Sequence, residues 1–337
     1  MSGADGAHPA QGPRTVSKPC PQRTCASPAP YTLAGWDTNA SVRLDRTPYA
    51  LPADLESQLG DRHWFVPAFM PYLDHPDIVQ AGTSVVRRLE ANQLVYFLDY
   101  TTVLEHKLVN RAVETLIHNE LGLHVPLAMK NAALQLYTDE GYHALFSNQI
   151  AEQVAELYGI NNRSRPAHRI QRLQHQIDIC RPADRALHWF LIGFVSETII
   201  AKELLGAIHV PLVSTVLDMF KSHLGDEARH SRYFSEVFAH VWSLLDDVQR
   251  AKAATQLLTL LGIFFESDTR WLKESLASVD LNPTTIEQIC IQLQQPAVHQ
   301  QRVRAGARAT VLALANAGFF TLEHNRRLFL SAGFMDA

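Results

Sequence analysis

The sequence predicts an all-α fold in which long helices pack as a bundle. Six of the 17 prolines fall within the first 30 residues, and most later ones stand just ahead of an amphipathic run. Inside the runs the apolar residues recur every three to four positions. No run combines strict apolar–polar alternation with flanking hairpin turns, so strands are not expected.

Composition and charge narrow the classes of function. The chain has 337 residues, of which 47% are hydrophobic and 19% are charged, and its net charge is −4. That balance excludes a general basic nucleic-acid-binding surface and argues against binding to an anionic membrane. No apolar run reaches about 18 residues, no secretory leader is evident, and the four cysteines are scattered. We therefore expect a cytoplasmic protein without a transmembrane helix.

Domain organisation follows from the same pattern. We expect residues 1–32 to form a disordered tail, because so polar a stretch cannot offset its own ordering entropy by burial. Residues 33–337 are predicted to form one domain, with a polar, partly helical connection at 160–181. The glycines expected to end helices in the left-handed conformation are Gly122, Gly159 and Gly206. The predicted helical segments are 77–121, 127–158, 183–205, 212–246, 249–279 and 297–331.

Two of the predicted helices carry the same pattern, Asp-Glu-x-x-His, at residues 139–143 and 226–230. Residues three apart lie on one face of a helix, so the Glu and the His of each copy can give one oxygen and one nitrogen to a single metal ion. The two predicted pairs are Glu140 with His143 and Glu227 with His230.

An isolated glutamate in apolar surroundings precedes each copy of the pattern, Glu105 before the first and Glu197 before the second. One Glu from each of two helices and a Glu-x-x-His pair from each of two others form the ligand set of di-iron carboxylate bundles. Four carboxylates neutralise two Fe(II) ions, and imidazole suits iron in both oxidation states. The sequence therefore predicts two iron ions, and it leaves manganese and zinc open.

Other Glu and His residues test how specific this pattern is. A single Glu-x-x-His is weak evidence, because a helical chain with 16 histidines supplies one by chance. Glu114, Glu236 and His188 each lie nine residues from a predicted ligand. Nine residues correspond to about 900° of helical rotation, which places these side chains on the opposite face. They are predicted to take no part in the site.

One more histidine lies on the ligand face. His223 is four residues before Glu227 and seven before His230, so the three share one stripe. It is either a histidine of the core or a third nitrogen ligand. Gly141 and Gly225 lie inside the same two helices, where glycine costs up to about 1 kcal/mol relative to alanine. Such glycines are either tolerated or mark close packing or a helix bulge beside the ligands.

With these features the chain resembles the ferritin-like di-iron N-oxygenases, whose type activity is p-aminobenzoate N-oxygenation. The resemblance covers roughly residues 75–250 and rests on the doubled pattern, the two upstream glutamates and the additional histidine. It implies a ferritin-like helical bundle with additional C-terminal helices and with ligand helices at about 77–246. The iron ligands that it implies are Glu105, Glu140, His143, Glu197, His223, Glu227 and His230.

The resemblance also implies a reaction and partners. Members of the family use O2 and electrons to oxidise an amine to a hydroxylamine, and often further to a nitroso or nitro product, in natural-product biosynthesis. They are commonly homodimers, and they act on free aryl amines or on amines held by a carrier protein. The chain has no dinucleotide-binding glycine motif and no iron–sulfur cysteine cluster, so we expect an external reductase.

Other classes predict different features. A storage ferritin would be much shorter, and a desaturase would lack the third histidine. A ribonucleotide reductase subunit would have a tyrosine one turn beyond the first histidine, where this chain has Ser147. Another di-iron carboxylate oxidase or hydroxylase, or a ferritin-like metal-binding protein without enzymatic activity, stays open as an alternative. A helical scaffold would instead predict no metal.

Residues one or two turns from the ligands suggest the character of the substrate pocket. The 16 residues at 89–104 contain no Arg or Lys, and a buried substrate carboxylate would call for a cation. We therefore expect a neutral aryl amine or an aminoacyl thioester on a carrier protein. The cations that could instead fold over the site are Arg181, Arg185, Arg302, Arg304 and Arg308. The predicted pocket residues are Phe97, Thr101, Thr102, Tyr137, Gly193, Phe194 and Ala201.

Overall fold

The structure, a computed structural model, describes residues 31–44, 49–161, 163 and 165–335. Within these ranges the chain forms helices and turns and no β-strand, with one isolated bridge between His63 and Leu212. The predicted all-α class is confirmed. The α-helices are α1 (Trp36–Asn39), α2 (Leu55–Gln58), α3 (Pro76–Ala81), α4 (Thr83–Val103), α5 (Asn110–Ile117), α6 (Leu127–Tyr158), α7 (His168–Asp178), α8 (Arg185–Ala207), α9 (Ser214–Leu244), α10 (Asp247–Phe264), α11 (Thr269–Ala277), α12 (Pro283–Leu293), α13 (Pro296–Asn316) and α14 (Glu323–Ser331).

Four long helices form the bundle that carries the predicted ligands. α4 continues through a π-helical segment, Leu104–Val109, directly into α5, so these three elements form one long interrupted helix. α4 packs along α6, α8 packs along α9, and α5 contacts both α6 and α8. The additional C-terminal helices cover this bundle, with α10 and α13 lying against α8.

Two apolar clusters divide the bundle interior along the helix axes. On α6 the first cluster reaches Leu136 and the second begins at Phe146. On α9 the second cluster reaches Phe220 and the first resumes at Tyr233. A layer of buried polar residues lies between the two clusters on both helices. The fold thus places the predicted ligands between two apolar layers that exclude water.

Several predicted helix boundaries hold, and others do not. The segment 127–158 is α6, and Gly159 ends it with a φ of 62°. Gly206, in contrast, lies inside α8, which continues to Ala207. The segments 77–121, 249–279 and 297–331, each predicted as one run, are interrupted, the first of them at Gly82, which has a φ of 91°. Asp268 caps a new helix, α11, by accepting from a backbone N–H, and Gly318, with a φ of 75°, turns the chain after α13.

The predicted tail, residues 1–32, lies outside the described residues except at its end. The backbone N–H of Tyr31 donates to Oε2 of Glu236 at 2.6 Å, and the carbonyl of Thr32 accepts from Arg232. These two residues therefore contact α9. Among the described helices, none is both long and apolar enough to cross a lipid bilayer.

Candidate metal centre

All seven predicted ligands meet in the polar layer between the two apolar clusters. Each is at most 2% exposed. One comes from the π-helical segment, two from α6, one from α8 and three from α9, so four neighbouring helices contribute. In chain order they are Glu105, Glu140, His143, Glu197, His223, Glu227 and His230.

Six of the seven form two overlapping groups, in each of which the potential ligand atoms lie within 4.8 Å of one another. The Glu105 group consists of Glu105, His143, His223 and Glu227, and the Glu140 group of Glu140, His143, Glu227 and His230.

Short N···O distances connect the members of each group. In the Glu105 group, Oε1 of Glu105 lies 2.9 Å from Nε2 of His223. In the Glu140 group, Oε1 of Glu140 lies 2.9 Å from Nδ1 of His230. Glu197 joins from α8, with Oε2 3.5 Å from the same Nδ1 of His230. Two adjacent positions thus each face several oxygen and nitrogen donors.

The donor atoms fit a metal rather than one another. Both carboxylate oxygens of Glu105, Glu140 and Glu227 are buried and form no hydrogen bond within the described chain, and neither does Nδ1 of His143 or His230. Buried polar atoms left without a partner are costly, and in native proteins an ion often explains them. Carboxylate oxygens with imidazole nitrogens are a donor set suited to iron.

Crowding of charge shifts the pKa values inside this cluster. Burial raises the pKa of Glu197 well above its usual value, and the nearby Glu227 and Glu140 raise it further. Burial also raises the pKa of Glu105 to about 7, although His223 opposes that change. For His223, burial lowers the pKa, but Glu105 and Glu227 outweigh burial and bring it to about 9. A divalent cation among these groups would take the place of the protons that they otherwise hold.

Two aspartates orient two of the histidines, and they do so across the bundle. Nε2 of His143, on α6, lies 3.0 Å from Oδ2 of Asp226 on α9. Nε2 of His230, on α9, lies 3.0 Å from Oδ2 of Asp139 on α6. A carboxylate accepts from each Nε2–H, so once a metal displaces the proton on the other nitrogen, each ring offers the lone pair of its Nδ1 to the cluster. The aspartates therefore fix the tautomer that a metal requires.

A helix bulge lies beside the ligands, but not at the glycines where the sequence suggested one. Glu105 is part of the π-helical segment, whereas α6 and α9 remain α-helical around Gly141 and Gly225. No described atom lies within 4 Å of a Cβ built on either glycine, so close packing does not explain them. π-Bulges occur often at functional sites, and this one carries a predicted ligand.

The residues predicted to face away from the site do so. Glu114 contacts Arg111 at 3.4 Å, and Glu236 contacts Arg232 at 3.2 Å. His188 is only 4% exposed, and its ring nitrogens form no hydrogen bond within the described chain. Burial lowers its pKa to about 4.

Four of the predicted pocket residues lie in or near the bundle interior, and of these Thr102 lines a described cavity. Phe97 packs against the rings of Phe65 and Phe220. Thr101 is fully buried, and its hydroxyl has no hydrogen-bond partner within the described chain. The Thr102 hydroxyl donates to the carbonyl of Leu98, and Ala201 is half-buried.

The structure places the other three elsewhere. Tyr137 lies at the surface, 40% exposed, and so lines no internal pocket. A Cβ on Gly193 would lie 2.6 Å from that of Ala112, so this glycine allows two helices to approach closely. Phe194 stacks on Phe238 in the core. For Gly193 and Phe194, helical phase correctly predicted an inward-facing position. It could not predict which residues pack against them.

Three residues at the site were given no role by the sequence analysis. Asp139 and Asp226 stood in the pattern, and their recurrence directly before each glutamate was the feature that could have revealed them. Trp36 donates its indole N–H to Oδ1 of Asp139 at 2.9 Å. No local pattern indicates that contact, because 103 residues separate the two.

The fold and the site together define a ferritin-like di-metal carboxylate protein. Comparison with protein families then gives a match over residues 38–318 to the family described as P-aminobenzoate N-oxygenase AurF. The match covers most of the chain, so the chain belongs to this family and is an oxygenase of the di-iron monooxygenase type, as the sequence predicted. Comparison with curated proteins gives no match.

Proposed function

We propose that this chain oxidises the nitrogen of an amine with O2, and that the seven buried Glu and His residues hold the two iron ions that the reaction needs. The observation that carries the proposal is the convergence of carboxylate oxygens and imidazole nitrogens that face the centre of the cluster, are buried and form no hydrogen bond within the described chain. When bound, the iron pair supplies the chemistry of O2 activation. Electrons are needed because one oxygen atom of O2 leaves as water, and we propose that an external reductase delivers them.

The chain's own residues keep the site dry and ordered. Apolar side chains close the polar layer from both ends of the bundle, with Leu136 and Phe146 on α6 and Phe220 and Tyr233 on α9, all buried. Excluding water from such a layer protects a reactive oxidant from side reactions and strengthens electrostatic interactions inside it. A buried, carboxylate-rich centre of this kind suits oxidation of a neutral amine.

For the substrate we propose an amine whose carboxylate is esterified, as on a carrier protein, or a neutral aryl amine. A cleft of about 670 Å³ opens beside α4, and Tyr100, Thr102 and Val103 lie along its wall. Thr102 is three residues before Glu105 on the same interrupted helix, although no predicted ligand is among the residues that line the cleft. A volume of that order holds a molecule much larger than a free aminobenzoate.

Four arginines line the cleft, Arg88, Arg163, Arg165 and Arg270, and each already bonds to a group of the chain itself. The more distant cations considered from the sequence are engaged as well. Arg302 donates to the carbonyl of Phe265, and Arg304 donates to that of Gly333, so neither folds over the site. Arg181 is exposed and lies 3.8 Å from Asp184. None of these three is free to neutralise a substrate carboxylate.

Two further cations lie closer to the ligand helices. Arg229 is held in an ion pair with Asp226, and Arg169 is half-buried beside α4. The Arg169 guanidinium stands 5.8 Å from the ring centroid of Tyr100, which is five residues before Glu105. Its charge already has a partner: burial lowers the pKa of Arg169, but Tyr100 and Glu203 raise it above its usual value. A second carboxylate from a substrate would compete with Glu203 for the same cation. This favours a substrate without one.

The oligomeric state, the cellular location and the product of the reaction are proposals as well. We propose a homodimer, supported by Leu134, Tyr137 and Leu145, which are exposed along one face of α6. We propose work in the cytoplasm on natural-product precursors, and oxidation that begins at the hydroxylamine and can continue to the nitroso or nitro level.

A direct competition tests the proposed reaction and its substrate. Iron-loaded protein is supplied with O2 and a reductant and is offered p-aminobenzoate, free valine, a neutral aryl amine and a carrier-bound aminoacyl thioester together, and products are followed by mass. Hydroxylamine, nitroso or nitro products from the carrier-bound amine are expected. Oxidation of a free acid alone would overturn the substrate choice, and no N-oxidation of any amine offered, neutral aryl amines included, would overturn the reaction.

A further inference from the structure

A short N-terminal segment reaches both aspartates that orient the ligand histidines. Residues 33–43, here called the N-terminal strap, contain α1 and a 3-10 turn, Ser41–Arg43. The indole N–H of Trp36 donates to Oδ1 of Asp139 at 2.9 Å. The backbone N–H of Ser41 donates to both oxygens of Asp226 at 3.2 Å each.

These contacts connect the strap to each metal-facing imidazole through a single aspartate. Trp36 holds the carboxylate that holds His230, and Ser41 holds the carboxylate that holds His143. The two chains of contacts start only five residues apart in the strap but end on different helices. One short segment therefore contributes to the orientation of both histidines, and on α9 it does so together with Arg229, which forms an ion pair with Asp226.

The strap is seated firmly enough to act in this way. Leu33 is 3% exposed and Ala40 and Ser41 are at most 1% exposed. The Arg43 guanidinium lies 5.5 Å from the ring centroid of Trp36 and covers the indole. Trp36 is half-buried, and the loss of its indole N–H would leave Oδ1 of the buried Asp139 without that partner. The loss of the Ser41 N–H would leave Asp226 with Arg229 and His143.

We propose that the N-terminal strap is a positioning element of the metal centre, through which Trp36 and Ser41 determine how tightly the chain holds its two metal ions. The proposal rests on the metal site proposed above. Partners that hold a ligand histidine from behind typically change metal affinity by about 10–100-fold when they are removed. The strap extends that role one contact further out, to a segment more than a hundred residues away in the sequence.

Two pairs of variants test whether the hydrogen-bond donor itself is needed: the indole N–H of Trp36 and the backbone N–H of Ser41. Trp36→Phe removes the indole N–H but keeps an aromatic ring, and Trp271→Phe is its control, because Trp271 stacks on Tyr96 and touches no predicted ligand. Ser41→Pro removes the backbone N–H, whereas Ser41→Ala keeps it. Proline fits there, since Ala40 before it is extended, with φ −64° and ψ 137°, and Ser41 begins a 3-10 turn.

The measurement is competition for Co(II) and Fe(II) between the full chain and a chelator, together with the rise in Tm that each metal produces. Trp36→Phe and Ser41→Pro should hold metal roughly 10-fold or more less tightly and show a smaller metal-induced rise in Tm. Trp271→Phe and Ser41→Ala should match the unaltered chain. A merely structural strap would lower the Tm of metal-free and metal-loaded protein equally.

The outcomes distinguish this proposal from the proposed function. If the unaltered chain binds neither ion, the metal centre itself is refuted. If the unaltered chain binds metal and both donor-deleting variants compete with the chelator equally well, the strap has no positioning role. Trp36→Phe alone suffices for the decision if Ser41→Pro does not fold.

Discussion

The two Asp-Glu-x-x-His helices are alike at the motif and differ one turn before it. On α6 the residue four positions before the motif glutamate is Leu136, fully buried, and on α9 it is His223, 1% exposed. The partner helices differ too, because Glu105 lies in a π-helical segment and Glu197 in a regular helix. Both differences meet where Nε2 of His223 approaches Oε1 of Glu105 at 2.9 Å. The asymmetry is therefore concentrated in the Glu105 group.

The largest effect is expected from the glutamate that the two groups share. Glu227 belongs to both, so Glu227→Ala should remove metal from both positions and abolish N-oxidation. Glu236→Ala is the control, because Glu236 lies nine residues further on and contacts Arg232. Elemental analysis and product assay check both variants. Full iron content in Glu227→Ala would show that Glu227 is not a ligand shared by the two groups.

Replacing the additional histidine by its counterpart should separate the two groups. In His223→Leu, α9 has the residue that α6 has at the same place. We expect the Glu140 group to retain its iron and the Glu105 group to lose affinity by roughly 10-fold or more. Iron content should fall toward half, the absorption of the iron-loaded protein should change, and turnover should drop. Normal iron content, spectrum and rate with reduced stability would instead make His223 a residue of the core.

Removing the segment before the strap should disturb neither group. No predicted ligand precedes Glu105, so deletion of residues 1–32 is expected to leave the fold and the iron content intact. The contacts of Tyr31 and Thr32 with α9 add a small effect, a loss of about 1–3 kcal/mol in unfolding free energy. Deletion of residues 1–30, which keeps those contacts, should avoid that loss. Loss of iron in the shorter deletion would show that the tail takes part in the site.

The smallest effect is expected at two glycines, Gly141 inside the first copy of the motif and Gly225 just before the second. Gly141 and Gly225 are helical and open, so Gly141→Ala and Gly225→Ala should stabilise the protein by up to about 1 kcal/mol each. Gly193→Ala should destabilise it by about 1–3 kcal/mol, because its Cβ would meet Ala112 and Phe234. Thermal unfolding separates these signs. Destabilisation by either motif glycine would point to a packing role that the structure does not show.

The sequence could predict the parts of the site that depend on helical periodicity. Glu140 and His143 share a face because they are three residues apart, and the same spacing predicts Glu227 with His230. His223 was identified by phase alone, with its role left open. The outward position of Glu114 followed from the same rule.

Features of the site that the sequence could not predict depend mainly on contacts between distant segments of the chain. The bond from Trp36 to Asp139 spans 103 residues, and that from Ser41 to Asp226 spans 185. Periodicity predicts which face is buried but not what packs there, which is why Gly193 was assigned to a pocket and not to a helix contact. The π-helical segment has no glycine or proline to reveal it.

Diffraction data collected at the iron absorption edge from crystals of the iron-loaded protein test the central claim most directly. The account predicts two anomalous peaks per chain, one among the donor atoms of the Glu105 group and one among those of the Glu140 group. A single peak, peaks at any other place, or none in protein reconstituted with iron would contradict it.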